Sequence, residues 1–133
     1  MTEHAYQIKV PDHPEEMVFI NGMVGKTFFA KLWVMFVGNK VLKAIRKNTD
    51  LICAYGGASG FGQTILVSYW RNKAALYEFM NTDLHKKWVS YVLKNQQQFS
   101  SFNEIYPAPL RSGRYINGPM ALAMVYPKIT GVS

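Results

Sequence analysis

Little in this sequence could cross-link the chain, carry it through a bilayer or hold a metal. There is one cysteine, Cys53, in 133 residues. A lone thiol excludes an intramolecular disulfide framework and a Cys-based zinc cluster, and it suits a reducing compartment, so a cytoplasmic location is expected. The three histidines, His4, His13 and His85, do not stand at ligand spacing and no HExxH run occurs, so no metal site is expected. No uncharged apolar run approaches the roughly 18 residues of a membrane helix. Lys31 interrupts the apolar stretch from Thr27 to Val37. The opening residues lack a basic segment followed by an apolar one, so no signal peptide is expected. Neither a G-x-S-x-G elbow nor an internal repeat is present, and the glycine-rich segment 56–62 has neither the G-x-G-x-x-G spacing nor the lysine of a phosphate-binding loop. Acidic residues are few, eight against fifteen Lys and Arg, for a formal net charge of +7.

What is present is apolar and aromatic. Hydrophobic residues make up 49% and aromatics 14% of the chain, enough for one core in a domain of this length. The basic excess is spread from Lys9 to Lys128, and only Lys40, Lys43, Arg46 and Lys47 gather. Those four fall in the last turns of a predicted helix, where cations meet the negative end of the helix dipole. A nucleic-acid reader concentrates its charge in one stripe with aromatics interleaved, so no nucleic-acid partner is expected. An anionic small molecule suits a diffuse positive field.

Residues 1–14, polar and carrying Pro11 and Pro14, read as an arm. Residues 15–109 read as the body, and 110–133 as an ordered tail laid over it. Within the body, 15–25 is β-rich. The spacing of Phe29, Leu32, Trp33, Phe36, Val37, Val41 and Ile45 predicts a helix over 27–47, with that stripe packed on a sheet and a kink at Gly38 and Asn39. Leu51–Tyr55 and Thr64–Trp70 read as strands joined by a glycine-rich hairpin loop over 56–62. Helices follow over 72–80 and 84–97, the second capped by Thr82 or Asp83, and Phe102–Tyr106 reads as a last strand. The order β-α-β-β-α-(α)-β is the ferredoxin-like split βαβ pattern of an α+β domain, with a four-stranded antiparallel sheet and helices on one face. The other face is apolar and needs cover, which a second copy would supply in a dimeric α+β barrel with a pocket in each subunit.

The run from Ser68-Tyr69-Trp70-Arg71 through Leu76 and Phe79 to Asp83, His85 and Trp88 resembles the motif run of a small monooxygenase-like family in the dimeric α+β barrel superfamily. That family is related to antibiotic-biosynthesis monooxygenases and polyketide cyclases. The resemblance covers residues 15–110. It implies a homodimeric barrel and a choice among cofactor-independent oxygenases, cyclases and haem-degrading enzymes. It also implies a catalytic histidine at the position of His85, although the tyrosine that partners it in related cyclases is replaced here by Phe79. In the last strand Asn103 stands where the family often has a histidine.

The residues themselves point to the same place. His85 shares a helix face with Trp88, Val89 and Val92, so its imidazole turns inward and is able to exchange a proton near neutral pH. Glu104 alternates with Phe102 and Tyr106. It is either an edge carboxylate or a pocket base with a raised pKa. Asn21 between Phe19 and Met23, and Ser68 beside Trp70, are expected to line one cavity, with the amide and hydroxyl orienting a substrate and Phe19, Met23 and Trp70 forming its apolar wall. Arg71 is a candidate for holding an anionic group. The reading is a small-molecule enzyme of secondary metabolism, a monooxygenase or cyclase without a cofactor. It would take a proton from an apolar or aromatic substrate, with no membrane or nucleic acid as partner. The alternatives are a haem-binding barrel using His85 as ligand, a non-catalytic ligand-binding barrel, and an interaction protein that docks on a membrane surface or a partner through the aromatic helix around Phe28–Val37.

Overall fold

A computed structural model describes residues 5–107, 113–117 and 119–129. The main sheet has four antiparallel strands in the order β3-β4-β2-β5, formed by β2 (Met17–Gly25), β3 (Leu51–Gly60), β4 (Gln63–Trp70) and β5 (Phe99–Pro107). Three helices, α1 (Phe28–Arg46), α2 (Lys73–Met80) and α3 (Asp83–Lys94), lie between the strands in the chain and cover one face. This is the ferredoxin-like α+β arrangement.

Local chemistry explains where each helix starts. Thr27, Asn72 and Thr82 each turn the chain from extended to helical, and each side chain accepts a bond from a free backbone N–H three residues on. Alternation along the strands then sorts the side chains. Phe19, Ala54, Leu66 and Trp70 point to the helices and join Ile45, Ala75, Leu76 and Phe79 in the principal core. Val18, Ile20, Ile65, Tyr69, Phe102 and Tyr106 fall on the opposite face, as the register Val18↔Tyr69, Val18↔Tyr106 and Gly22↔Phe102 requires.

Several expectations shift. The segment Gly56–Gly60 belongs to β3, so the predicted loop over 56–62 shrinks to a turn at Phe61 and Gly62, where Gly62 takes a positive φ of 73°. Helix α1 runs through Gly38 without a break. A Cβ there would stand 3.0 Å from the Thr64 side chain, so Gly38 marks a close approach of helix to strand rather than a kink. The face that α1 buries also differs: Ala30, Val34, Val37 and Ile45 pack inward, whereas Phe28, Phe29, Leu32 and Phe36 face solvent. Helix α3 stops at Lys94 and is followed by a short 3-10 turn at Gln96–Gln98.

The arm and tail meet each other. Strand β1 (Ala5–Tyr6) pairs with β6 (Tyr115–Ile116), and Ile8 bridges to Lys128. Tyr6, Ile8, Leu122 and Ala123 are buried together against Val18 and Tyr69 on the sheet face that the helices leave open. The Tyr55 hydroxyl accepts the Ala121 N–H at 3.0 Å, and the Tyr126 hydroxyl donates to the Glu16 carboxylate. The expected boundary between body and tail, at 109 and 110, lies outside the described residues. Cys53 is half-buried on this same face, where burial raises its pKa above the ordinary thiol value.

Candidate functional site

The helix-covered face of the sheet is filled in two different ways. Under α2 it is solid. Ala75, Leu76 and Phe79 press on Trp70 and Phe19, and the Trp70 and Phe79 rings lie 5.5 Å apart. Ser68 is wholly buried there, accepting the Trp70 indole N–H at 2.9 Å and donating to the Phe19 carbonyl at 3.4 Å. Ser68 and Trp70 therefore form a packing pair and do not line a cavity, contrary to expectation. The reason is position along β4: Ser68 and Trp70 lie at the end that α2 packs on, whereas the cavity takes Thr64–Leu66 from the other end, beneath α1. Arg71 is exposed just beyond that far end, its backbone N–H bonded to the Asp50 carbonyl, away from the cavity.

Under α3 and the middle of α1 the same face encloses a cavity of about 440 Å³. Phe19, Asn21 and Met23 of β2 form its floor as expected. Val34, Val37 and Val41 of α1 close one side, and His85, Trp88, Val89 and Val92 of α3 the other. All four α3 residues placed on one face by their spacing do meet here. The cavity thus lies mainly on the helix side of the sheet and within a single chain, rather than on the face that would pair with a second copy.

His85 is held from its own end of the helix. Its backbone N–H is capped by Thr82 Oγ1 at 3.3 Å, and its ring lies 5.5 Å from that of Phe79. Nδ1 stands 3.0 Å from the Met80 carbonyl. A carbonyl oxygen only accepts, so Nδ1 carries the proton and Nε2 keeps its lone pair in the neutral ring. Partial burial lowers the pKa below the ordinary histidine value, with the bond to Met80 opposing that shift. In the neutral ring the basic nitrogen is therefore Nε2.

Glu104 does not join it. In register with Ile20, Glu104 lies on the opposite face of the sheet and is exposed, where its bond to the Tyr106 hydroxyl raises that phenol's pKa. The sheet separates it from His85. The polar groups that do share the cavity are Asn103, directly opposite Asn21 across the β2–β5 ladder, with Thr64, Asn39 and Ser101. Alternation alone puts Asn103 on the face away from Glu104. Its pairing with Asn21 depends on strand register, which no sequence signal marks.

Among the described residues no three His, Cys, Asp or Glu side chains come together as metal ligands would. A haem would find an imidazole at His85 but, among the described residues, no Lys or Arg on the cavity wall to meet its propionates, so that lining does not suit it.

No protein-family model matches the chain, and no curated protein matches it. Solved structures do match. A candidate antibiotic biosynthesis monooxygenase of Deinococcus radiodurans is 13% identical over 70% of this chain and 93% of its own, with a TM-score of 0.59. The Mycobacterium tuberculosis protein Rv0793 is 14% identical over 71% of this chain and 95% of its own, with a TM-score of 0.55. A variant of SnoaB, a cofactor-independent oxygenase of Streptomyces nogalater, is 9% identical over 72% and 95%, with a TM-score of 0.54. The fold of the body is the one these proteins share.

Proposed function

We propose that this chain is a small-molecule enzyme that removes a proton from an apolar, aromatic substrate and delivers the resulting anion to dioxygen. The observation that carries the reading is an imidazole fixed through Nδ1 on the wall of a largely apolar cavity of about 440 Å³, a volume suited to a ligand of a few fused rings. His85 Nε2 takes the proton from an acidic C–H or O–H. Asn21 and Asn103 offer paired amides to a substrate carbonyl or phenol, where they would favour the negative charge that develops. The carbanion passes electrons to dioxygen, a C–O bond forms, and the peroxide takes up a proton. Loss of water then leaves a carbonyl, so that a CH₂ group and dioxygen become C=O and water. The likeness in fold to an oxygenase described as cofactor-independent supports oxygenation over the alternative, in which the same anion closes on its own carbonyl and His85 returns the proton.

The dimer belongs to this proposal. Ile65, Phe102 and Tyr106, on the sheet face that the helices leave open and the arm and tail cover in part, are each close to half exposed, and a second copy pairing there would bury them. Light scattering should report twice the chain mass.

The enzymatic test is oxygen uptake, with product mass, on a panel of hydroxyaromatic and 1,3-dicarbonyl compounds. His85→Gln should lower turnover by about 10²- to 10⁴-fold. Turnover within a few-fold of the parent would exclude the proton-transfer role, and product without oxygen uptake would select cyclisation.

A further inference from the structure

We infer that the outward face of α1 is a docking site for an anionic lipid surface. Phe28, Phe29 and Phe36 are 62%, 78% and 61% exposed, and Leu32 is 45% exposed. Phe61, at the β3–β4 turn, is 57% exposed and extends the patch, its ring 6.3 Å from that of Phe28. None of these rings is needed inside, because Ala30, Val34, Val37 and Ile45 already seat the helix on the sheet. Exposed phenyls gathered on one helix face mark a surface that is covered in use.

Charge identifies what covers it. Residues 26–47 contain Lys26, Lys31, Lys40, Lys43, Arg46 and Lys47 and no Asp or Glu. Phe28, Leu32, Phe36 and Lys40 follow one another at four-residue spacing, so a single line on the helix passes from apolar to cationic. Lys40 Nζ lies 4.4 Å from the centre of the Phe36 ring and Lys31 Nζ 6.0 Å from that of Phe61. Arg46 is engaged with the Ala54 carbonyl, which leaves the exposed Lys26, Lys40, Lys43 and Lys47 to meet headgroups. Rings that sink to the acyl boundary beneath lysines that stay among phosphates are the recognition chemistry of an interfacial helix. Among the described residues no helix is long and apolar enough to cross a membrane, so the contact is peripheral.

The docked face borders the cavity, since Met35 and Asn39 flank Phe36 on α1 and also line the chamber. An apolar ligand in a bilayer would thus lie beside the chamber wall, although docking itself does not depend on the proposed reaction.

Vesicle co-sedimentation of the full chain tests the inference. The parent should bind phosphatidylcholine vesicles containing phosphatidylserine, bind pure phosphatidylcholine at least about tenfold more weakly, and be released by salt. Phe29→Ser with Phe36→Ser should weaken binding to the anionic vesicles at least about tenfold with an unchanged circular dichroism spectrum, and Lys40→Glu with Lys43→Glu should do the same. Three results would each overturn the inference: a parent that ignores anionic vesicles, phenylalanine variants that bind like the parent, or self-association that those variants abolish in the absence of vesicle binding. The first is read on the parent alone, so it decides even where a variant fails to fold.

Discussion

The two halves of the helix-covered face differ more than the sequences of α2 and α3 do. Both helices are amphipathic and both begin at a side-chain cap, yet α2 buries Ala75, Leu76 and Phe79 whereas α3 buries no residue fully. Helix α2 lies flat on a floor built by Trp70 and Phe19. Helix α3 stands off. Near its far end Tyr91 stacks on Trp33 at 4.5 Å, with Phe99 a further 6.0 Å from Tyr91, and at its near end His85 rests on Phe79. Propped at both ends on aromatic rings, α3 roofs a space it does not fill. One half of the sheet therefore supplies stability and the other supplies volume.

That division can be broken residue by residue. The largest effect should come from Leu76→Ala, which opens a void in the solid half and should cost about 2–5 kcal/mol in urea unfolding. Next, Ser68→Ala leaves the buried Trp70 N–H without its acceptor and should cost about 1–3 kcal/mol, with the indole fluorescence reporting the change. A smaller effect should follow pH. Burial lowers the folded-state pKa of His85 below its ordinary value of 6.5, so below that value the unfolded chain binds more protons. Stability should be full above this pH and fall as pH drops toward the folded-state pKa, and His85→Gln should flatten that slope. The smallest effect is expected for Val89→Ala on the roof, within about 1 kcal/mol, because its side chain is 41% exposed before substitution. A cost at Val89 equal to that at Leu76 would mean that α3 is packed as tightly as α2.

Much of this was legible in the chain. Alternation placed Phe19, Asn21 and Met23 on one face of β2, and the spacing of His85, Trp88, Val89 and Val92 placed them on one face of α3; the structure brings both sets to the same cavity. Glu104 was read with its correct strand neighbours, but alternation does not say which face the helices cover, and that choice removes Glu104 from the cavity. Alternation places Ser68 and Trp70 on the helix-covered face but does not tell the solid half of it from the hollow half. Position along a strand relative to the helices above it is set by loop lengths and packing, and neither has a local signature.

Helix α1 shows where local pattern stops deciding. It carries apolar residues on nearly all sides, and the stripe its spacing points to, through Phe29, Leu32 and Phe36, is not the one buried. Packing against the sheet did: Gly38 lies so close to Thr64 that the contact face admits Ala and Val, and the bulky Phe28, Phe29 and Phe36 are turned outward. The sequence by itself determined the three helices, the four strands of the main sheet, their order, the cap of α3 and the two faces of each strand, because those depend on neighbours within a few residues; the pairing of β1 with β6 does not. Which helix face is buried, which half of the sheet is hollow, and that Asn21 meets Asn103 were decided only in the tertiary structure, because each depends on distances between segments that the chain brings together last.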